Sequence, residues 1–401
     1  MSKKENAAML AAVFLFWFSV YTYPSFLQDY CMQHLGAGAF MVGMITGSYG
    51  FTQMLLRIPL GILSDAVKKR KLFVMLGFGI SALSAAGFLL VDGMRGNAAA
   101  VAALVFRGMA GVACSTWVTF SVLYTASYRR EEVPAAMSRL MLPQFGSQVV
   151  AMLLGSQMAQ RMGAASAFLM ALASAILGII ALSQVRDVPP EGGPLTLRSV
   201  AKIAMDRDLM LGTVLSMVMH LVVWATVLGF VQNWARDVLQ LSTGELGYLS
   251  VMYLVPNTLL SRFSGDHLTR RFGRRAVLMT GFFAMALACA LYPHTVDLWS
   301  LMGAQALMGA GIGLILPLTM SAAIQNIPGD KRSTAMGVHQ AVYGVGMFLG
   351  PVLAGAIVAG GTVLQDGVMV ATGGYIANFY VCFAISLAGA AMTFLSFRKK
   401  G

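Results

Sequence analysis

Twelve long apolar runs, separated by short polar gaps, constrain this 401-residue chain more than any other feature of its sequence. A helix needs roughly 20 mostly apolar residues to cross a bilayer, and only helices and closed barrels satisfy their backbone hydrogen bonds there. The sequence therefore predicts an all-α membrane protein with twelve transmembrane helices. The predicted helices are 8–31, 38–64, 72–93, 98–127, 135–160, 164–185, 209–235, 244–265, 276–295, 298–326, 333–361 and 373–397.

The composition excludes several classes of protein. Hydrophobic residues make up 58% of the chain and charged residues only 11%, which is outside the range of soluble domains. The net charge of +12 does not indicate a nucleic-acid partner, because the basic residues lie in the gaps between apolar runs. No phosphate-binding loop, metal-ligand spacing or nucleophile–base pair is recognisable. We therefore expect neither an enzyme nor a bound cofactor, while coupling to a proton gradient stays open.

The basic residues also predict the orientation of the chain in the membrane. Of the 28 lysines and arginines, 22 lie in the termini and in alternate loops that would share one side, and the opposite loops hold only Arg95, Arg161 and Arg236. Loops rich in lysine and arginine stay in the cytoplasm. We therefore expect a multi-pass protein of the plasma (inner) membrane with both termini cytoplasmic.

A polar stretch from Gln184 to Asp208 divides the twelve helices into six and six. It contains Pro189-Pro190-Glu191-Gly192-Gly193-Pro194, a composition typical of linkers. The predicted domains are thus a bundle at 1–185, a cytoplasmic loop at 186–208 and a second bundle at 209–401. At an offset of 205 residues Arg57 overlies Arg262, and Lys69-Arg70 overlies Arg274-Arg275. This repetition predicts two pseudo-symmetric bundles.

Three motifs carry a resemblance to a known family. Gly61-Ile62-Leu63-Ser64-Asp65, followed by Lys68-Lys69-Arg70, resembles the signature loop between helices two and three of the major facilitator superfamily. Arg107-Gly108-Met109-Ala110-Gly111 is similar to the family's arginine-glycine signature in helix four. Gly350-Pro351 resembles the glycine-proline signature of the family's antiporters, although it lies in helix eleven.

The resemblance covers the whole chain. It implies the fold of that superfamily, secondary active transport by alternating access, and a latch at the cytoplasmic ends of the two bundles. The residues expected to form this gate are Asp65, Lys69 and Arg70 in the first half and Asp266, Arg274 and Arg275 in the second.

Arginines inside the apolar runs are the candidate substrate ligands. Arg57 lies eight residues before Asp65, roughly 12 Å along a helix, and so near the middle of the bilayer. Arg262 is expected to match it from the other half. No acidic residue is found at the same depth, and this favours an anionic ligand. The pattern R-x-P-x-G in helix two also looks similar to nitrate/nitrite porters of the superfamily. Arg107 and Gln340 are further candidates.

A structural role for these arginines, bracing the bundles through backbone carbonyls, remains the alternative. His220 and His339 are the mid-membrane groups that could exchange a proton near neutral pH. Ordinary neutral histidines, hydrogen-bonded inside a bundle, are equally compatible with the sequence.

The leading hypothesis is a monomeric secondary transporter that binds a small anion between its two bundles. Proton-coupled efflux of amphipathic compounds is the first alternative, because the chain contains 29 methionines and many aromatic residues in helix one. A non-transporting membrane receptor or enzyme on the same scaffold is the second, since a fold does not establish a function.

Overall fold

The computed structural model describes residues 2–129, 132–187, 203–325, 327, 332–365 and 368–396, and these residues are almost entirely helical. They contain twelve long helices, so the predicted fold is confirmed. The helices are α1 Lys3–Tyr21, α2 Ala39–Val67, α3 Arg70–Asp92, α4 Gly96–Ser115, α5 Val133–Met162, α6 Ala164–Ser183, α7 Arg207–Ala225, α8 Thr243–Phe263, α9 Arg274–Leu291, α10 Leu298–Ile324, α11 Arg332–Gly360 and α12 Thr372–Ser396.

Several helices are extended by short segments. A helical turn at Leu27–Asp29 and a π-helical turn at Tyr30–His34 follow α1, and α4 is followed by a helix at Trp117–Thr125. α7 continues through a π-helical turn, Thr226–Phe230, into a last helix, Val231–Asp237. Gly229 leaves helical geometry inside that turn. The first helix of each half is therefore broken near the same end of the molecule.

Shorter elements lie in three of the connections. A π-helical turn at Ser264–Leu268 and a helix at Thr269–Phe272 follow α8, and a 3₁₀ turn at Tyr292–His294 follows α9. Between α11 and α12 the strands β1 Val363–Gln365 and β2 Val368–Val370 pair antiparallel.

Eight of the twelve helices are long and apolar enough to cross a membrane by themselves: α3, α4, α6, α7, α9, α10, α11 and α12. The other four, α1, α2, α5 and α8, contain more polar residues. Three of these four form the contacts between the halves, where α2 packs against α11 and α5 packs against α8. Their polar residues are therefore tolerated because these helices face protein on one side.

The molecule has two ends, which we call the terminal end and the opposite end. The start of α1 and the end of α12 define the terminal end. There Asn6 accepts a hydrogen bond from Tyr124, and Lys71 reaches the end of α6 at Ser183. The opposite end contains the loops that follow the odd-numbered helices.

The halves are closed against each other at the opposite end by a seam of glycines. A Cβ atom on Gly50 of α2 would lie 2.6 Å from the carbonyl carbon of Met347 in α11, and one on Gly47 would lie 2.8 Å from the carbonyl oxygen of Phe348. On α11, a Cβ on Gly355 would lie 2.6 Å from the carbonyl oxygen of Ala39. Only glycine allows two helix backbones to approach this closely.

The terminal halves of the same helices are not packed in this way. A Cβ atom on Gly61 of α2, Gly146 of α5 or Gly337 of α11 would have no neighbouring atom within 4 Å. The close backbone approach between the halves is thus found toward the opposite end, and we interpret the space between their terminal ends as an open cleft.

Candidate functional site

Arg57 lies at the inner limit of this cleft and contacts both halves. Its side chain is only 4% exposed, and it donates a hydrogen bond of 2.7 Å from Nη2 to Oε1 of Gln53, one turn earlier on α2. From Nη1 it donates a 3.2 Å hydrogen bond to the hydroxyl of Tyr343 on α11. Its Nε has no hydrogen-bond partner among the described residues. The mid-membrane guanidinium expected from the sequence is therefore buried at the interface between the halves.

Tyr343 connects Arg57 to both candidate histidines. The ring of His220 on α7 stacks on Tyr343 with 4.2 Å between ring centres and 3° between the planes. The ring of His339, one turn before Tyr343, meets it edge-on at 5.4 Å. The sequence does not single out Tyr343, because its role depends on contacts between α2, α7 and α11.

The hydrogen bonds of the histidines determine which ring nitrogen carries the proton. Nδ1 of His220 lies 2.8 Å from the carbonyl oxygen of Ser216, which can only accept a hydrogen bond, so Nδ1 must donate. Nδ1 of His339 lies 3.0 Å from the hydroxyl of Thr213, whose own proton is donated to the carbonyl of Leu209. Both rings therefore use Nδ1–H as a donor, and Nε2 remains as the site that can take up a proton.

Arg107 on α4 is a second buried cation near the same interface. It is 3% exposed, and its Cζ lies 4.4 Å from the ring centre of Tyr49 and 5.5 Å from that of Tyr23. Neither Nε nor Nη1 has a hydrogen-bond partner in the described part of the chain. Tyr49 also stacks on Trp224 of α7 at 5.3 Å, so a single ring separates Arg107 from the second half.

The remaining candidate ligands lie in different environments. Gln340 on α11 is partly buried, and its Oε1 has no partner among the described residues. Arg262 is exposed and has no hydrogen bond or ion pair within the described ranges. Arg262 makes no contact with the Arg57 group among the described residues, so its role as a matching ligand stays a prediction. The repeat relates their sequence positions, but the cleft is open where α8 ends. In the described ranges no three histidine, cysteine or acidic side chains group as a metal site would require.

The residues predicted to form the gate lie at the terminal end, around the end of α2 and the start of α3 in the first half and around the start of α9 in the second. The side chains of Asp65 and Asp266 lie outside the described part of the structure. Lys69 is exposed and Arg70 is buried. Arg274 donates to Oε1 of Gln325 at 2.8 Å, at the end of α10. A latch between these clusters is a feature expected of the opposite conformation, since the terminal end is open here.

A different latch, not predicted from the sequence, closes the opposite end. Nε of Arg236, from the segment after α7, lies 3.2 Å from Oδ1 of Asp29, from the segment after α1. Asp29 is 5% exposed. Asp237 accepts hydrogen bonds from Gln33 at 3.0 Å and from Tyr375 at 2.5 Å. The Arg236–Asp29 and Gln33–Asp237 contacts join the segments that follow the broken helices α1 and α7.

Breaking this latch is expected to open the opposite end. In Asp29→Asn or Arg236→Gln the remaining group loses its charged partner, and the closed state is destabilised by about 1–3 kcal/mol. Native Cys31, fully buried beside Asp29, is the reporter: its reaction with a membrane-impermeant maleimide should become at least about tenfold faster, since 1.4 kcal/mol corresponds to a factor of ten. In the double variant, the labelling rate of Cys31 should increase by less than the product of the increases in the two single variants. Unchanged labelling in both single variants would show that the ion pair does not hold this end closed.

Comparison with known proteins identifies the family. The model of the Major Facilitator Superfamily matches residues 9–231 and again residues 209–401, so each match covers about one half of the molecule. The chain belongs to the Major Facilitator Superfamily. It is therefore an integral, multi-pass membrane protein and a secondary transporter of this superfamily.

Curated relatives within the superfamily differ in what they carry. The chain is 31% identical over 121 residues to the multidrug transporter protein MdtP of Bacillus subtilis, a match covering 29% of this chain and 22% of MdtP. It is 23% identical over 338 residues to the inner membrane transport protein YajR of Escherichia coli, covering 82% of this chain and 71% of YajR. A probable chloroplastic anion transporter of Arabidopsis thaliana is 28% identical over 120 residues, covering 29% and 22% of the respective chains.

A solved structure of the superfamily has the same fold. The crystal structure of the nucleoside transporter NupG aligns over 100% of both chains with a TM-score of 0.77 and 15% sequence identity. At this identity the likeness concerns the fold alone.

Proposed function

We propose that this transporter binds a small organic anion beside Arg57, between its two halves, and carries it across the membrane by alternating access. One observation carries the proposal. Arg57 and Arg107 are both buried near the interface between the halves, and neither forms an ion pair with a described residue. Three of their nitrogen atoms, Nε of Arg57 and Nε and Nη1 of Arg107, also lack hydrogen-bond partners among the described residues.

The energetics favour a bound anion at such a site. A buried charge without a counter-ion is destabilised by several kcal/mol, even after relaxation of its surroundings. A hydrogen bond from a guanidinium to a carboxylate contributes about 1.5–3 kcal/mol. The cation–π contacts of Arg107 with Tyr49 and Tyr23 offset only part of the desolvation. A carboxylate or phosphate in the cleft would supply the missing acceptors.

The second half contributes aromatic rings, which support an organic rather than an inorganic anion. His220 and Tyr343 form a stacked pair whose side chains are partly exposed beside Arg57. Aromatic and apolar walls with a few placed polar groups are typical of sites for organic ligands. Gln340, with its unpartnered Oε1, is the further ligand that we include. Arg262 is left out because it is exposed.

A proton is the proposed coupling ion, and His220 and His339 are its proposed carriers. A proton on Nε2 of either ring places a second positive charge near Arg57, which repels it. An anion bound at Arg57 removes this repulsion by neutralising the guanidinium. Anion and proton would then be bound together and released together.

The basic loops support a location in the plasma membrane with the terminal end facing the cytoplasm. In that orientation the cleft is open to the cytoplasm. We take the monomer as the transporting unit, because Arg57 and Tyr343 come from one chain and already join its two halves.

Ligand-induced stabilisation of the purified protein tests the anion proposal. Ligands that bind the folded state raise its unfolding temperature, and a concentration of 100 times Kd adds about 2.7 kcal/mol. We expect aromatic and aliphatic carboxylates to stabilise the protein, and we expect Arg57→Gln to abolish the effect. Arg262→Gln is the matched control and should keep it, because Arg262 is exposed.

Efflux of amphipathic compounds is the second candidate, favoured by Gly350-Pro351 in α11 and by the relative MdtP. Stabilisation by hydrophobic cations alone, retained in Arg57→Gln, would contradict the anion proposal and support this candidate.

Proton coupling is tested separately, by measuring whether anion uptake into proteoliposomes acidifies the lumen in the parent protein and in His220→Gln.

A further inference from the structure

A groove on the outside of the second half lies between α9 and α12, away from the cleft. The two helices are in close contact behind it, where a Cβ on Gly389 would lie 2.5 Å from the ring of Phe282. The groove encloses about 360 Å³ and is lined almost entirely by apolar side chains. Phe283 and Phe394 in its wall are 49% and 47% exposed. It is a concave, apolar surface that faces the surroundings of the bundle.

Each wall of the groove is a row of side chains along one helix, which we call a stripe, so the groove runs along the helices. Met279 and Phe283 are one turn apart on α9, and Leu387 and Ala391 are one turn apart on α12. Residues four apart lie above one another on a helix. The stripe on α9 begins one turn earlier, at Arg275, so the distance from Arg275 to Phe283 is roughly 12 Å along the helix axis.

The terminal end of this groove is cationic. Cζ of Arg275 lies 4.0 Å from the ring centre of Phe394, in the opposite wall. Arg271, in the short helix that precedes α9, is exposed. The start of α9 adds the positive end of its helix dipole. A cation at one end of an apolar groove fits a molecule with an anionic head and a hydrocarbon chain.

We propose that this groove binds one anionic phospholipid, with its phosphate beside Arg275 and one acyl chain along Met279, Phe283 and Leu387. The positive charge of Arg275 selects the anionic head group, and the apolar stripes accommodate the acyl chain. A second copy of the protein fits less well, because it would have to bring an acidic group to Arg275 and an apolar ridge to the groove. A lipid also needs no contribution from the cleft, so this site is independent of the transported solute.

Native mass spectrometry of the full-length protein in detergent tests the proposal. Phosphatidylglycerol and phosphatidylcholine with the same acyl chains are added separately, and the fraction of protein that retains one lipid is measured. We expect phosphatidylglycerol to be retained preferentially, and Arg275→Gln to lower its retention about fivefold, as loss of one basic residue near a lipid surface implies. Arg207→Gln, an exposed arginine at the start of α7, is the matched control and should have no effect.

A second variant tests the contribution of the groove to lipid binding without removing the charge of Arg275. Ala391→Trp fills the wall of the groove and keeps Arg275, so it should lower retention of both lipids. Equal retention of the two lipids by the parent protein, or unchanged retention in Arg275→Gln, would overturn the proposal. A dimer that Ala391→Trp dissociates, in protein free of lipid, would assign the groove to a second copy and would equally overturn it.

Discussion

Replacing Gly50 by leucine is expected to abolish transport by preventing closure of the opposite end. A Cβ on Gly50 would already lie 2.6 Å from the backbone of Met347, so the larger side chain must push α2 and α11 apart. Overpacking of this kind costs about 1–3 kcal/mol or more in a tightly packed core. A loss of 3 kcal/mol would lower the population of the closed state roughly a hundredfold. Uptake into proteoliposomes should fall accordingly.

Gly61→Leu is the matched control for this prediction. Gly61 lies on the same helix, but a Cβ there meets no atom within 4 Å, so the same substitution should leave transport near that of the parent. Spin labels on Met94→Cys and Val296→Cys, exposed positions on loops of different halves, report the separation at the opposite end. A normal distance distribution together with normal transport in Gly50→Leu would show that the glycine seam is not needed for closure.

Replacing Arg107 by methionine is expected to raise the unfolding temperature while it abolishes anion transport. Arg107 is 3% exposed and has two N–H groups without partners, so the folded protein pays for a desolvated charge. Methionine has a similar length and no charge. Replacing buried ionic groups by apolar residues of similar size has stabilised other proteins by about 1–4 kcal/mol. Calorimetry of the ligand-free protein and transport assays measure the two effects.

The two possible roles of Arg107 give opposite results in this experiment. A bracing role predicts that Arg107→Met unfolds at a lower temperature than the parent, because a stabilising group has been removed. A ligand role predicts greater stability and lost transport, as is typical of functional sites. Arg262→Met serves as the control, since the exposed Arg262 should change the unfolding temperature very little.

The twelve helices could be predicted from the sequence because the bilayer imposes one simple requirement, a long apolar run. The structure adds the breaks in these helices. α1 ends at Tyr21, and α7 changes into a π-helical turn at Thr226, although the apolar runs continue past both points. Hydropathy does not distinguish a continuous helix from a broken one.

The candidate site was predictable in part. The burial of Arg57 and Arg107 follows from their positions inside apolar runs, and both are buried. The environment of Arg262 does not follow from the repeat, because the two halves are packed together at one end only. A pseudo-symmetric sequence gives equivalent positions, whereas each conformation of a transporter exposes them differently.

The contacts across the interface could not be predicted at all. Tyr343 meets Arg57 over a separation of 286 residues, and Arg236 meets Asp29 over 207. Neither pairing is marked by a motif or by the spacing of the two residues in the sequence. Only the packing of α2 on α11, and of the segments after α1 and α7, brings these residues together.

The four less apolar helices also have a consequence for biosynthesis. As it is made, each helix partitions between the translocation channel and lipid according to its own hydropathy, and α1, α2, α5 and α8 are the least suited to insert alone. α1 also contacts α3, but most of its packing is against α5 and α6, which are synthesised later. The complete packing of α1 therefore cannot form before α6 has been synthesised, and the first half is assembled only after its last helix enters the membrane.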